Sequence, residues 1–284
     1  MINSGQKNSG VNHKPKSFLK PSVIWGIRTP IPNWLALALI FLTLLVPIAA
    51  WCFASYGGFV SSIFLPTPTQ VADAAQEMWF DKNLAKDIVS SSFRVAAGFA
   101  LAALLSIPLG IAMGTFRSME SIIQPIVGTV RYMPVAAFIP LIIIWVGLGE
   151  SSKILIIFMG IFFVNVMMIA DAVKFVPEEL LSVSYTLGAS RRQVLQRVIL
   201  PAVLPSIMDT MRVNVSGAWN FLVIAELIAA ESGLGYRILK AQRFLATDEI
   251  FVGILIIGGI GFFLDLFFKK TSQWLLPWAH KARE

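Results

Sequence analysis

Asp209, Arg212, Ser216 and Asn220 recur at offsets of three, four and four through an otherwise apolar stretch. At about 100° per residue, such positions fall on one narrow stripe of an α-helix. Polar groups are costly in lipid, so a stripe of this kind lines a watery path, bonds to a neighbouring helix, or sits at the interface. Asp209 and Arg212 stand one turn apart and can pair as a cap on the helix entrance. Ser216 and Asn220 lie deeper and fit a polar pathway. Trp219 and Glu226 occupy an adjoining face, two turns apart. The Glu226 carboxylate could repel anions as a gate, pair with Arg237 or Arg243, or fix the loop that follows. Arg131 sits in Gly128-Thr129-Val130-Arg131-Tyr132-Met133-Pro134. Pro134 donates no amide hydrogen and frees carbonyls one turn earlier. The Arg131 guanidinium could hold those carbonyls, a carboxylate such as Asp209, or a passing oxyanion; at an interface it would snorkel to headgroups.

Other chemistry is missing. The two histidines, His13 and His280, lie near the chain ends, and no Gly-rich phosphate loop of the Walker type occurs. The single cysteine, Cys52, forms no internal disulfide and sits in an apolar run, as a packed hydrophobe does. A lipid-attachment role for it fits poorly with the bulky Trp51 before it. No nucleophile or metal constellation can be assembled, and nothing points to nucleic acid.

A different kind of signal lies between Leu181 and Pro201, in LSVSYTLGASRRQVLQRVILP. Leu180, Val183 and Leu187 mark one helical face; Leu195, Val198 and Ile199 mark another after Gly188. Gly188 can take the left-handed conformation that ends one short helix and turns the chain into the next. Pro201 marks the return toward the membrane. Such a segment suits docking on a soluble partner or lying on lipid.

The elements that must carry these residues are membrane spans. Hydrophobic residues make up 56% of the chain and charged ones 14%, with a mean hydropathy of +0.74, outside the range of soluble domains. Crossing the hydrocarbon layer takes about 20 apolar residues. Six candidates appear: 34–54, 95–114, a third ending near Val146, 154–170, 211–230 and 250–268. The third begins between Ser121 and Pro134, where Pro125, Pro134 and Pro140 break the pattern. The first run is too long in its apolar core for a secretory signal. Residues 1–32, rich in Asn, Ser, Gly and Lys, read as a disordered basic tail able to touch anionic lipid.

Placing both termini in the cytoplasm puts Lys7, Lys14, Lys16, Lys20, Arg28, Arg117, Lys174, Arg191, Arg192, Arg197, Lys269, Lys270, Lys281 and Arg283 inside. Lys82, Lys86, Lys153, Arg237, Lys240 and Arg243 fall outside; Arg94, Arg131 and Arg212, at or within spans, are left out of the comparison. The excess inside follows the positive-inside rule and brings Gly188 to the cytoplasm. Gly98, Ala102, Ser106, Gly110 and Gly114 form a small-residue stripe for close helix packing, within the chain or as a dimer seam. Residues 56–92 and 231–249 are external, each with an amphipathic stretch, and Gly233 and Gly235 make a tight turn.

The segment around Gly188 resembles the loop of membrane permeases of ATP-binding-cassette importers. Gly188 and Val198-Ile199-Leu200-Pro201 fit it; Ser182, Val183 and Ser184 stand where Glu-Ala-Ala is usual. Leu65-Pro66-Thr67-Pro68, Ile139-Pro140, the run from Trp145 to Ile154, Ala225-Glu226, Ser232-Gly233-Leu234-Gly235-Tyr236 and Thr247-Asp248-Glu249-Ile250 resemble the nitrate, sulfonate and taurine branch. The resemblance implies an all-α polytopic fold of type I importers, about six transmembrane helices, with a cytoplasmic coupling loop at about 174–204. Ser182, Gly188, Ala189, Arg191, Arg192, Leu200 and Pro201 would make that loop. Arg131, Arg212, Ser216, Trp219, Asn220 and Glu226 would be the pathway candidates. It also implies a second permease copy, most simply in a homodimer, and cytoplasmic ATPase subunits holding ATP and Mg. A periplasmic or lipid-anchored solute-binding protein, a bacterial inner-membrane location and a small anionic solute, bicarbonate included, complete the expectation. The rivals are an ATP-independent secondary transporter, for which no internal repeat is visible, and a membrane enzyme.

Overall fold

A computed structural model describes residues 31–281, which leaves the basic tail outside it apart from its last two positions. Among the described residues every regular element is helical. The chain divides after Phe59. The first unit holds α1 (Asn33–Tyr56), which has no charged residue and exposes its apolar side chains along its length. A helix apolar all round suits a hydrocarbon surrounding, where its backbone is satisfied internally.

The second unit begins at Val60. Its first helix, α2 (Pro68–Phe80), starts on a capping box: Gln70 N donates to Thr67 Oγ1, and Thr67 N donates to Gln70 Oε1. This is the amphipathic stretch expected outside, with Trp79 and Phe80 exposed. α3 (Leu84–Thr115) is longer than the span expected there and carries the small-residue stripe. The stripe packs within the chain. A methyl placed on Gly98, Gly110 or Gly114 would press on Ile157, Ile169 or Val173 of α6 (Glu150–Lys174). The two series rise together, so α3 and α6 run parallel in close contact.

That contact gives a first expected result. In Gly110→Ala the new methyl would lie 2.8 Å from Ile169 Cβ and 2.9 Å from the Val166 carbonyl, so the helices must separate. Overpacking of this kind costs about 1–3 kcal/mol. Gly128→Ala, whose methyl meets nothing within 4 Å, should instead gain about 0.5–1 kcal/mol of helix propensity. Thermal melts of the purified variants should move in opposite directions; a shared direction would remove the packing explanation.

The third span resolves into two pieces. α4 (Arg117–Val130) and α5 (Val135–Val146) are bent by 98° at their junction, so of the three prolines expected to break the pattern it is Pro134 that marks the break. Pro134 forces the break: it disfavours helix at Met133 and itself has a ψ of 124°. α4 packs through Val127 on Met113, Val166 and Ala170, whereas α5 packs through Ile139 and Ile142 on Ile156 and Ala225. Their junction therefore lies about midway along α6.

After α6 comes α7 (Glu178–Thr186), and then a helix that does not stop at Pro201. α8 (Arg191–Val194) passes through a π-helical turn (Leu195–Ile199) into α9 (Leu200–Ala229). The wider turn changes the carbonyl pairing just where Pro201 lacks a donor, so the chain returns to the membrane without a break. α9 lies antiparallel to α6, with Asn214 donating to Asn165 at 2.5 Å and Phe221 against Gly160. The unit closes with α10 (Leu234–Arg243), α11 (Thr247–Leu275) and α12 (Pro277–Lys281). Among the described residues five helices are long and apolar enough to span a membrane, or six if the bent pair counts as one span.

Candidate functional site

At the end of α9 away from Gly188, buried charge is concentrated. Arg94 of α3 is 1% exposed and Glu226 of α9 is 0% exposed. Arg94 donates from Nε and Nη2 to the two Glu150 oxygens at 2.5 and 2.7 Å, and from Nη1 to Glu226 Oε1 at 2.6 Å. It reaches Ser232 O at 2.7 Å and Ser232 Oγ at 3.2 Å as well. A guanidinium has five N–H donors, and here each has an acceptor. Lys153 adds a bond to Glu150 Oε1 at 2.9 Å.

Glu226 was expected to gate, to pair with Arg237 or Arg243, or to fix the external loop. It does hold that loop, accepting from Gly235 N at 2.7 Å and from Ser91 Oγ at 2.7 Å. Its cation is Arg94, however, and its full burial withdraws it from any open path. Arg237 pairs with Asp87 instead. Gly233 has a φ of +117°, and a methyl there would collide with Glu226 and Arg94. Nearby, hydrogen bonds to Glu249 and Glu77 raise the Lys82 ammonium above the usual lysine value. Arg94 stands at the very edge of the apolar run 95–114. Its signal is legible in the sequence: two opposite charges, Arg94 at the edge of one span and Glu226 within another, need each other.

The polar stripe of α9 is also rearranged. Arg212 does not pair with Asp209; Nε and Nη2 grip both oxygens of Asp265 on α11 at 2.5 and 2.8 Å. A planar fork prefers a bidentate carboxylate to a single one a turn away. Ser216 and Asn220 remain exposed on the chain's surface, with Ser216 Oγ donating to its own helix at Val213 O. Trp219 turns the other way and is buried, its indole N–H without a partner among the described residues.

Arg131 caps α4 at the bent junction and is exposed. Among the described residues it meets Tyr132 and not Asp209: its guanidinium stacks 4.2 Å from the Tyr132 ring centre and donates to Tyr132 Oη at 2.6 Å. A cleft of about 210 Å³ opens there, lined by residues 130–135, Phe138, Met159, Gly160, Phe163, Val164 and Phe221. A second of about 210 Å³ joins Arg131 to Val164, Met167, Met168 and Asp171. Among the described residues no group of His, Cys, Asp or Glu could hold a metal ion.

At the opposite end, Gly188 adopts a φ of +80°. Gly188 N bonds to Tyr185 O and Ala189 N to Ser184 O, the two bonds of a Schellman ending for α7. Ser190 then caps α8 through a reciprocal box with Gln193, a signal legible as Ser-x-x-Gln but not used. The base of this hairpin is anchored, with Val176, Val194 and Ile199 buried among Ile169, Val203 and Ile207. Its tip is bare: Leu187 is 82% exposed, and Leu180, Val183 and Tyr185 are exposed beside it. Ser182, Arg191 and Arg192 are exposed too, Ala189 and Leu200 are half-buried, and Pro201 is exposed.

Parallel and antiparallel spans, a mid-depth break and a helical hairpin projecting from one end define a multi-pass membrane permease. Residues 106–276 match the family described as binding-protein-dependent transport system inner membrane component, and the chain belongs to that family. It is similar to the taurine transport system permease protein TauC of Escherichia coli, 39% identical over 83% of this chain and 88% of that one. The putative aliphatic sulfonates transport permease protein SsuC of Bacillus subtilis is 35% identical, over 82% and 84%. The nitrate import permease protein NrtB of Synechocystis is 28% identical, over 75% and 81%. A chain of the MetNI methionine ABC transporter in an inward-facing conformation shares the fold, with a TM-score of 0.61 at 17% identity over 70% of this chain and 97% of that one. The protein is thus an ATP-binding-cassette importer permease of the nitrate, sulfonate and taurine branch, and the ATP-independent reading is set aside.

Proposed function

We propose that this permease carries a small oxyanion of the sulfonate, taurine, nitrate or bicarbonate class across the bacterial inner membrane by alternating access. It works as one half of a homodimer, with both termini and Gly188 in the cytoplasm. A periplasmic or lipid-anchored binding protein delivers the solute. Separate cytoplasmic ATPases hold ATP and Mg, and this chain binds no cofactor of its own. The observation that carries the reading is the hairpin at Gly188, anchored at its base and apolar at its bare tip. Ser182, Gly188, Ala189, Arg191, Arg192, Leu200 and Pro201 form its contact and joint. Co-purification with an ATPase subunit tests this, and its reproducible absence would undermine it. Orientation is checked by a Ser190→Cys probe in a Cys52→Ser background; labelling from outside intact cells by an impermeant thiol reagent would reverse it.

The pathway is assigned to the exposed residues, since polar side chains facing lipid are costly and those facing a second copy or water are not. Arg131, Ser216 and Asn220 meet that condition. Arg212 is neutralised by Asp265, and Trp219 and Glu226 are buried, so their part is to shape the path. Arg131→Ala removes a charge-assisted bond worth about 1.5–3 kcal/mol and should lower uptake about tenfold or more at equal expression. Asn220→Leu should lower uptake with basal ATP hydrolysis intact. Wild-type uptake in both variants would move the path elsewhere.

A further inference from the structure

α10 starts without a cap of its own. Gly233 occupies its N-cap position and offers no side chain, so its first amides need acceptors from elsewhere. The acceptors come from two spans. Gly233 N donates to Asp87 Oδ1 at 2.7 Å, Leu234 N to Ser91 Oγ at 2.9 Å, and Gly235 N to Glu226 Oε2 at 2.7 Å. Asp87 and Ser91 belong to α3, and Glu226 belongs to α9. Arg94 grips the preceding Ser232 and, through Glu150, the start of α6. One turn into α10, Arg237 returns to Asp87 and to the Lys82 carbonyl.

Helices that meet only through apolar side chains can slide a little at small cost. These cannot. A shift of α10 would strip Arg94 or Glu226 of partners in a place where water does not reach to replace them. A load applied to α10 therefore moves the ends of α3, α6 and α9 together. α9 transmits it further, because the helix runs unbroken from Arg191 to beyond Glu226 and its first residue follows directly on the Ser190 cap of the Gly188 hairpin. The last turn of α10 and the residues after it are accessible: Lys240 and Arg243 are exposed, Phe244 is 75% exposed, and Leu245 holds a φ of +55°.

We propose that Arg94 is the positioning residue that binds α10 to the three spans, so that a loaded solute-binding protein acting on α10 is felt at the ATPase hairpin. This rests on the importer reading above. The test uses the complete transporter reconstituted with its ATPase and binding protein, and the double variant Arg94→Met/Glu226→Gln. Removing both buried charges leaves Glu150 with Lys153, and the new carboxamide keeps an acceptor for Gly235 N. Expected are unchanged basal ATP hydrolysis and a melting temperature well above that of Arg94→Ala, with the stimulation by loaded binding protein reduced about fivefold. Stimulation equal to wild type would overturn the proposal. So would basal and stimulated rates that fall in proportion alongside a lower melting temperature, the mark of a merely structural clamp. If the double variant does not assemble, Ser91→Ala answers the question: it keeps every charge and removes only the cap on Leu234 and one bond to Glu226. It should lower the same ratio, and an unchanged ratio would overturn the proposal equally. A wild-type transporter that shows no stimulation at all would instead sink the importer reading.

Discussion

Arg94→Ala should accumulate poorly in the membrane and melt far below the wild type. Removing one partner of a buried ion pair costs about 3–5 kcal/mol, because the other charge stays behind uncompensated. A whole domain is stable by only about 5–15 kcal/mol. Glu226, fully buried, is the group stranded here; Glu150 keeps Lys153. Arg94→Lys should fall between, since an ammonium brings three donors to five acceptors and lacks the flat fork. Adding Glu226→Gln to Arg94→Ala should recover part of the loss by removing the stranded charge. Arg212→Ala is the contrast: its pair with Asp265 is 35% and 45% exposed, so its loss should lower the melting temperature far less. Melting temperatures of the four variants, measured in one detergent, decide the matter. An Arg94→Ala protein as stable as Arg212→Ala would mean that the buried cluster holds nothing together.

The two ends of α9 show what a sequence of this kind discloses. Local signals were legible: Gly188 flanked by two helical faces announced a turn at positive φ, and the turn is there. Small residues at every fourth position announced close packing, and Gly98, Gly110 and Gly114 lie against α6. Spans followed from apolar length alone. Partnerships did not. Arg212 had a carboxylate one turn away in sequence, yet its fork chose Asp265, more than fifty residues on. Glu226 had two nearby cations and chose Arg94, far upstream. Periodicity ranks neighbours on one helix and says nothing about which helix lies across from it. The bend at Pro134 was half legible: proline placed the break, but the 98° angle depends on α4 and α5 packing against different halves of α6. The π turn before Pro201 left no sequence mark beyond the proline itself.

Gly188→Val should abolish uptake while leaving the protein in the membrane and the binding protein able to hold solute. A methyl on Gly188 would meet nothing within 4 Å, so bulk is not the obstacle. The obstacle is a φ of +80°, which costs an ordinary residue about 1–2 kcal/mol and a β-branched one more. The Schellman bonds from Gly188 N and Ala189 N depend on that angle. Losing them frees the end of α7, so Leu187 and its exposed neighbours no longer present one surface. The base, buried on Val176, Val194 and Ile199, should hold, which is why assembly survives. The ATPase then either fails to dock or hydrolyses ATP without answering the loaded binding protein. Gly188→Asn discriminates the cause, because asparagine is larger than alanine but tolerates the left-handed region. Uptake should rank Gly, Asn, Ala, Val, following backbone preference and not size. Ser182→Glu should be tolerated, as Ser182 is exposed and its side chain stands where a Glu is usual. Full uptake and full stimulation in Gly188→Val at normal expression, or a ranking by side-chain volume, would end the claim that this joint couples the permease to its ATPase.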